Sequence, residues 1–455
     1  MTGARVANRL TAPFLLTAAL AVTPVMALAE APAVEPLPEP LTLEFALDQT
    51  DVPHPDLAAS QALLEAAEAR RLGAGSTDDF AANLVLDARW VEPPELTTYP
   101  DENNDSRAML TVSKQLYDFG RTRGAVEATE AGVRASEWLL RETEARRRLD
   151  IMRRFFEVIL ADITYERENE RMAVAYVALD RARDRYELGQ VSDIEVLRLE
   201  DEFQATRISR QAALSNQRST RSLLAQALGR PANLPARLIP PMLPGNDLEL
   251  PDYESLLAAA MRSNPRLLAM RESLDGAREQ LAASRAERYP TLRSEVTAAA
   301  YEQEFGSRQP FVASLVLDVP LYSGDRVDAG VASARADFNQ AQAEVARTEY
   351  WVRQQVLEAW QDVQTLKAQR EQALVRRDYR DLYLDRSRAE YELEIKTDLG
   401  DAMVQQSDAR LLAHRTEFEL ALAWERLAWL TGEPTLSPLL PPGDKAPLTV
   451  DEATP

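Results

Sequence analysis

The chain has 455 residues with 52 basic and 73 acidic side chains, a net charge of -21, two histidines and no cysteine. The missing cysteines exclude disulfides, thiol catalysis, cysteine-ligated metals and a lipidated N-terminal cysteine, while His54 and His414 stand too far apart to form an H-x-x-x-H pair. The acidic balance lacks the basic stripe that phosphate neutralisation requires, so nucleic acid is not an expected partner; no Gly-rich phosphate loop or G-x-S-x-G elbow implies a cofactor or a hydrolase.

The N-terminus carries Arg5 and Arg9, an apolar run from Ala12 to Met26, and Ala27-Leu28-Ala29 ahead of acidic text. That pattern predicts a secretory signal peptide over 1–29, and losing its two arginines takes the net charge from -21 to -23. No later apolar run approaches the roughly 18 residues of a spanning helix. The remainder is therefore not expected to cross a bilayer as helices, and a soluble exported chain and a β-barrel both stay open. An acidic, Pro-rich segment follows over 30–53, extended across Glu30 to Pro40.

A first repeat is expected over 54–234, opening with a helix after Pro53-His54-Pro55. Period-two text comes next: Leu84, Leu86, Ala88 and Trp90 alternate with Asn83, Val85, Asp87 and Arg89. Beyond the polar stretch from Glu92 to Arg107, Leu110, Val112 and Leu116 alternate with Thr111, Ser113 and Gln115. Together they predict a β-hairpin over 80–118. The period then becomes helical through Val126, Val133 and Leu140 and on through Leu149, Met152, Phe156, Ile159 and Ile163. This predicts one helix from Arg121 to about Leu188, roughly 100 Å long at 1.5 Å per residue. A turn at Leu188-Gly189-Gln190-Val191 lets a second helix, 192 to about 227, return antiparallel.

A linker over 235–253 leads into a second repeat, 254–433. Tyr186-Glu187-Leu188 recurs as Tyr391-Glu392-Leu393, and Leu116-Tyr117 recurs as Leu321-Tyr322, both at an offset of 205. Two distant markers that keep one offset need a rigid element of fixed length between them, as a long helix is. The second repeat opens with helices at about Ser255 to Met261 and from Arg266 to about Glu287, the latter capped by Asn264 with Pro265 in its first turn. A hairpin over 291–322 carries Leu292, Ser294, Val296 and Ala298, then Phe311, Ala313, Leu315, Leu317 and Val319. A long helical hairpin over 325–432 begins with Val331, Phe338, Val345 and Val352. The tail, 434–455, combines prolines with charge and lacks periodicity, which predicts flexibility.

Strands with one apolar and one polar face suit either a soluble sheet or a membrane barrel. Four of them close no barrel, and unpaired edges are not tolerated in hydrocarbon, so a membrane-spanning reading predicts an oligomer. Trp90, Tyr99, Tyr301 and Phe305 stand where either an aromatic girdle or ordinary packing would use them.

Two copies of helix, strand hairpin and long helical hairpin on an exported acidic chain resemble the TolC-type outer-membrane efflux and secretion channel family, the outer-membrane factors, over almost the whole mature chain. The segments Leu116-Tyr117-Asp118-Phe119-Gly120-Arg121 and Pro320-Leu321-Tyr322-Ser323-Gly324-Asp325-Arg326 resemble that family's strand-to-helix junctions, through Tyr117, Gly120, Arg121, Tyr322, Gly324 and Arg326. The resemblance implies a mostly α fold with a small β part. Tandem-duplicated helical hairpins would form an α-barrel, and four amphipathic strands per chain would contribute to a trimeric 12-stranded transmembrane β-barrel. It further implies a passive exit duct of a tripartite efflux or type I secretion system, not an enzyme, lodged in outer-membrane lipid and extending into the periplasm. Its partners would be two further copies of itself, a periplasmic adaptor and a proton-driven or ATP-driven inner-membrane pump.

By position, the resemblance makes Glu195, Tyr391 and Lys396 the periplasmic gate, with Lys where the family usually has Arg, so that a bidentate fork is lost. Gly400 and Met403 fall where the family can carry pore-constricting acids, which argues against an acidic ring there. Gly189, Val191, Ser192, Asp193, Ile395, Thr397 and Asp398 at the hairpin tips would dock the adaptor; Ser192 and Thr397 also read simply as N-caps. Two other readings stand beside this one. A periplasmic adaptor also uses long helical hairpins, though normally one. An exported enzyme would need a nucleophile, base or metal cluster that the sequence does not offer. The cargo and the partner pump leave no motif.

Overall fold

The computed structural model describes residues 37–51, 53–91, 104–231, 235–302, 308–393, 399–432 and 437. Its helices are α1 (Leu43–Asp48), α2 (Pro55–Gly75), α3 (Arg121–Glu187), α4 (Asp193–Ala227), α5 (Tyr253–Ser263), α6 (Pro265–Ala286), α7 (Arg326–Glu392) and α8 (Leu399–Thr431). Its strands are β1 (Phe80–Asp87), β2 (Arg107–Tyr117), β3 (Thr291–Tyr301) and β4 (Phe311–Asp318). All of these belong to the unit from Pro38 onward.

The duplication is visible in the lengths: α3 and α7 each run 67 residues, beginning and ending 205 positions apart. At 1.5 Å per residue each is about 100 Å long. Proline interrupts neither, and each stops where the backbone turns left-handed or loses its 3.6 rhythm. After α3, Gly189 takes φ 71°, its N–H donates to the Tyr186 carbonyl at 2.9 Å, and the Gln190 N–H donates to the Arg185 carbonyl at 2.8 Å. This paired closure satisfies two orphan carbonyls and needs a residue without Cβ at the turn. Ser192 then caps α4, its hydroxyl accepting from the Glu195 N–H at 3.4 Å.

The long helices pack in the order α4, α3, α8, α7, with α6 wedged against both α3 and α7 and α2 against α3. Part-way along them lies the core. Val352, Val356, Ala359 and Val363, spaced four, three and four, close with Leu267, Leu420 and Leu427 around the fully buried Trp424. Phe156 of α3 stacks on Phe418 of α8, with ring centroids 4.4 Å apart and planes 2° from parallel. Asn264, also fully buried, caps α6 by accepting from the Leu267 N–H at 3.1 Å and donates to the Leu430 carbonyl at 3.2 Å. One side chain thereby starts one helix and holds the end of another.

α1 forms in a stretch where the sequence shows no helical period, since a six-residue helix has too few turns to display one. It is fixed by its surroundings. Leu41 is hydrogen-bonded on both sides to the 237–239 segment, at 2.8 and 3.0 Å, and Leu41, Leu43, Ala46 and Leu47 are buried.

The four strands form one antiparallel sheet in the order β1-β2-β3-β4, so that β2 and β3 join the hairpin of one repeat to that of the other. No described helix is long and apolar enough to cross a membrane.

Candidate functional site

Residues directly opposite one another in antiparallel strands share a face, and the register sorts the paired positions of the sheet accordingly. Phe80 opposes Lys114, Leu84 opposes Leu110, Leu110 opposes Ala298, and Ala298 opposes Phe311. One face thus gathers the alternating apolar residues that lie within the paired strands, Leu84 and Leu86, Leu110 and Val112, Leu292, Val296 and Ala298, and Phe311, Ala313, Leu315 and Leu317; Leu116 falls in a bulge between Gln115 and Tyr117. The other carries Asn83, Asp87, Arg107, Thr111, Ser113, Arg293, Glu295, Thr297 and Asp318, with the Thr111 and Thr297 hydroxyls 3.4 Å apart. On the apolar face, Phe80, Leu84, Leu86, Phe311, Leu315 and Leu317 are between 60 and 70% exposed. A contiguous patch of this kind marks a surface that is covered in the working protein. The outer edges of β1 and β4 pair with nothing among the described residues.

Tyr301 does not belong with that apolar face. It opposes Arg107 and so lies on the polar one, with the Arg308 guanidinium 5.2 Å from its ring centroid. Trp90 is largely exposed and bridges to Asn104, and Tyr99 and Phe305 lie outside the described residues.

At the far end of the sheet from the long helices, buried Asp105 accepts from Arg308 at 2.6 Å and from Arg89 at 3.3 Å. These two arginines come from the loops of different hairpins, so one carboxylate ties both loops together. The Arg308 hydrogen bond, with that of Arg89 and opposed by burial, holds the Asp105 carboxyl below its usual pKa. The tie is accordingly present above the ordinary carboxylate value, about 4, and is lost as pH falls through the depressed folded value. Asp105→Asn is expected to lower the thermal midpoint by a few degrees at pH 7. The difference from wild type should shrink as the melt is repeated at successively lower pH below 4; a pH-independent difference would show that charge is not what holds the loops.

Where each hairpin meets its long helix, the backbone turns sharply. Asp118 accepts from the Gly120 N–H at 3.1 Å, the Thr122 N–H at 2.7 Å and the Thr122 hydroxyl at 2.5 Å, which caps α3. Gly120 has φ 86° and Phe119 has φ 56°. The second junction differs in detail: Gly324, at φ 63°, occupies the position equivalent to Phe119, and Asp325, at φ -82°, the one equivalent to Gly120. A phenylalanine held left-handed costs about 1–3 kcal/mol. Its ring is retained by stacking on Tyr289 at 5.3 Å and meeting Tyr117 edge-on at 4.8 Å, pairs worth about 0.5–1.5 kcal/mol each. Arg121 and Arg326, equivalent residues of the two junctions, both reach Glu287, at 3.9 and 3.5 Å. Tyr322 is almost fully exposed. Asp118, Phe119 and Glu287 were not among the residues singled out from sequence. The Asp-x-x-x-Thr spacing at a helix start could have revealed the first, but no local signal announces the shared Glu287.

At the opposite end of the long helices, Gly189, Val191, Ser192 and Asp193 form the exposed or half-exposed turn between α3 and α4, and the Asp193 carboxylate accepts from the Ile194 N–H at 2.9 Å. Glu195 pairs with Arg198 on its own helix through two contacts of 2.8 and 3.1 Å, and that hydrogen bonding lowers its pKa. Tyr391 lines a cleft of about 480 Å³ with Val174 and Val177 of α3 and Leu399 and Met403 of α8. Gly400 fits against Val174 so closely that a Cβ there would sit 2.9 Å from a Val174 methyl. Lys396, Ile395, Thr397 and Asp398 lie outside the described residues. Slightly deeper, Asp408 of α8 accepts from Arg167 at 3.2 Å and from Arg171 at 3.4 Å, and Ser407 donates to Glu170. The two helical hairpins are thereby joined by a polar seam that the sequence reading did not single out.

Residues 256–433 match the family model described as outer membrane efflux protein. The outer membrane efflux protein BepC of Brucella suis biovar 1 is 24% identical over 264 residues, 57% of this chain and 57% of that protein. The proteases secretion protein PrtF of Dickeya chrysanthemi is 32% identical over 108 residues, 23% of each. This chain thus aligns with just over half the length of the first relative and under a quarter of the second. Among solved structures, the Campylobacter jejuni CmeC outer membrane channel superposes with a TM-score of 0.71 at 14% identity, covering 86% of this chain and 85% of that one. At such identity the likeness is one of fold.

Proposed function

We propose, on the premise that residues 256–433 belong to the outer membrane efflux protein family and that the chain has the fold of its channels, that this protein is an outer-membrane exit duct. The observation that carries the reading is the sheet: one apolar face, one largely polar face and two edges unpaired among the described residues, set on two helical hairpins whose longer arms, α3 and α7, are each about 100 Å long. Three copies join β1 of one protomer to β4 of the next and close a 12-stranded barrel, with lipid outside and water within. The long helices continue the tube across the periplasm.

The helical layer supports the same closure. Within the chain α4 and α7 are the outermost of the four long helices, and each leaves an apolar stripe uncovered: Ile194, Leu197 and Ile208 on α4, Val375, Tyr379 and Leu382 on α7. β1 and α4 belong to the first repeat, β4 and α7 to the second, so one rotation closes both layers, as a heterologous ring requires. Glu195, Tyr391 and Lys396 serve as the periplasmic gate, and the tips, from Gly189 to Asp193 and Ile395 to Asp398, receive a periplasmic adaptor that links the duct to an inner-membrane pump. Conduction is passive. The names of the two relatives speak of efflux and of protease secretion, and an exit duct would serve either cargo.

The test is to extract the protein from outer membranes in detergent and weigh the complex by native mass spectrometry. A trimer of the chain without residues 1–29 is expected; a monomer in the soluble periplasmic fraction would overturn the duct in favour of an adaptor.

A further inference from the structure

We propose that Lys114 is a binding site for the phosphate of a phospholipid headgroup in the periplasmic leaflet; this rests on the reading of the sheet as a membrane wall. Of all the strand positions that the register places on the apolar face, Lys114 alone carries a charge. A cation on a lipid-facing wall is costly unless it reaches the interface or a counter-ion. No ion pair is found for it among the described residues; instead its ammonium lies 4.4 Å from the centroid of the exposed Phe80 ring. Such a contact orients a cation without neutralising it.

Depth identifies the ligand. Phe80 begins β1, and Lys114 stands three residues before Tyr117, where β2 gives way to the junction with α3. At about 3.4 Å per residue, the Lys114 backbone is ~10 Å along the strand from the end at which α3 starts, and snorkelling carries the ammonium most of the way to that end. That end faces the periplasm, and the groups at that level are the phosphodiesters of the inward-facing leaflet. Across the sheet the same row continues through Ser294 to Leu315. The small Ser294 leaves room beside the ammonium, while Phe80 and Leu315 flank it with apolar surface for acyl chains. Lys114 thus fixes the height of the barrel in the bilayer and holds one lipid per protomer.

Native mass spectrometry of the detergent-solubilised trimer, titrated with phosphatidylglycerol or with diacylglycerol of the same chains, tests this. Wild type should retain phosphatidylglycerol, up to one per protomer, in preference to diacylglycerol. Lys114→Gln should weaken that retention about tenfold, the worth of one charge-assisted hydrogen bond, and Lys114→Arg should restore it. Equal retention by wild type and Lys114→Gln trimers, or equal retention of the two lipids by wild type, overturns the site while leaving the duct standing. Millimolar inorganic phosphate that displaces the lipid in full would assign the site to free phosphate and overturn the lipid assignment. A wild-type protein that is no trimer in the membrane extract overturns both.

Discussion

Val375→Asp combined with Leu382→Asp is expected to leave the protein as monomers that form no channel. Both side chains are about 70% exposed on α7, lie one above the other with Tyr379 at spacings of four and three, and touch none of the core. Their replacement therefore costs the protomer little. In the ring proposed above they would meet α4 of the neighbour, where burying a Val or Leu is worth about 1.5–3 kcal/mol each. An aspartate at the same place loses that gain and adds the penalty of a buried, unpaired carboxylate, several kcal/mol more. Every interface of the ring carries the change, so the penalty is met three times over. Unheated gel migration and native mass should show monomers whose circular dichroism is unchanged. A trimer as stable as wild type would show that α7 is not at the protomer boundary and that the exposed stripe serves another partner.

The long helices and the faces of the strands were legible for one reason: both are set by periodicity over many residues. The 3-4 rhythm from Val126 to Ile163 and the offset of 205 fix α3 and α7, and the alternation at Leu84 and Leu86 or Leu315 and Leu317 assigns faces that the register then gathers on one side. What escaped depends on tertiary neighbours. α1 is a single short helix held by Leu41 and its contacts. Phe119 adopts a left-handed backbone that propensity argues against and that the rings of Tyr117 and Tyr289 help to hold. In sequence an aromatic near a strand end reads alike on either face, and the pairing of Tyr301 with Arg107 is what puts it on the polar one. Arg167, Arg171 and Asp408 look in sequence like any solvated charges on a helix, and their seam exists because α8 is brought alongside α3.

Lys396→Ala is expected to raise single-channel conductance in a planar bilayer, Glu195→Gln to act in the same direction, and Asp408→Ala to add to either. If the gate proposed above opens by the second hairpin moving away from the first, the seam opposes that movement. Arg167 and Arg171 converge on Asp408 in half-buried surroundings, and hydrogen bonds to charged groups contribute about 1.5–3 kcal/mol. Solvent screening reduces this, yet a remaining ~1.4 kcal/mol shifts an open-to-closed ratio tenfold. Removing Asp408 leaves Glu168, which also pairs with Arg167 and Arg171, to neutralise both, but takes away their link to α8. Glu195 offers a separate check. Its pKa is lowered by the hydrogen bond from Arg198, so its charge is kept above the ordinary value and is lost only as pH falls through the depressed one. Acidifying from pH 7 to pH 5 should therefore not reproduce Glu195→Gln. Unchanged conductance in all three variants would place the constriction elsewhere along the tube. A rise with Asp408→Ala alone would mean that the seam, and not the hairpin tips, holds the duct shut.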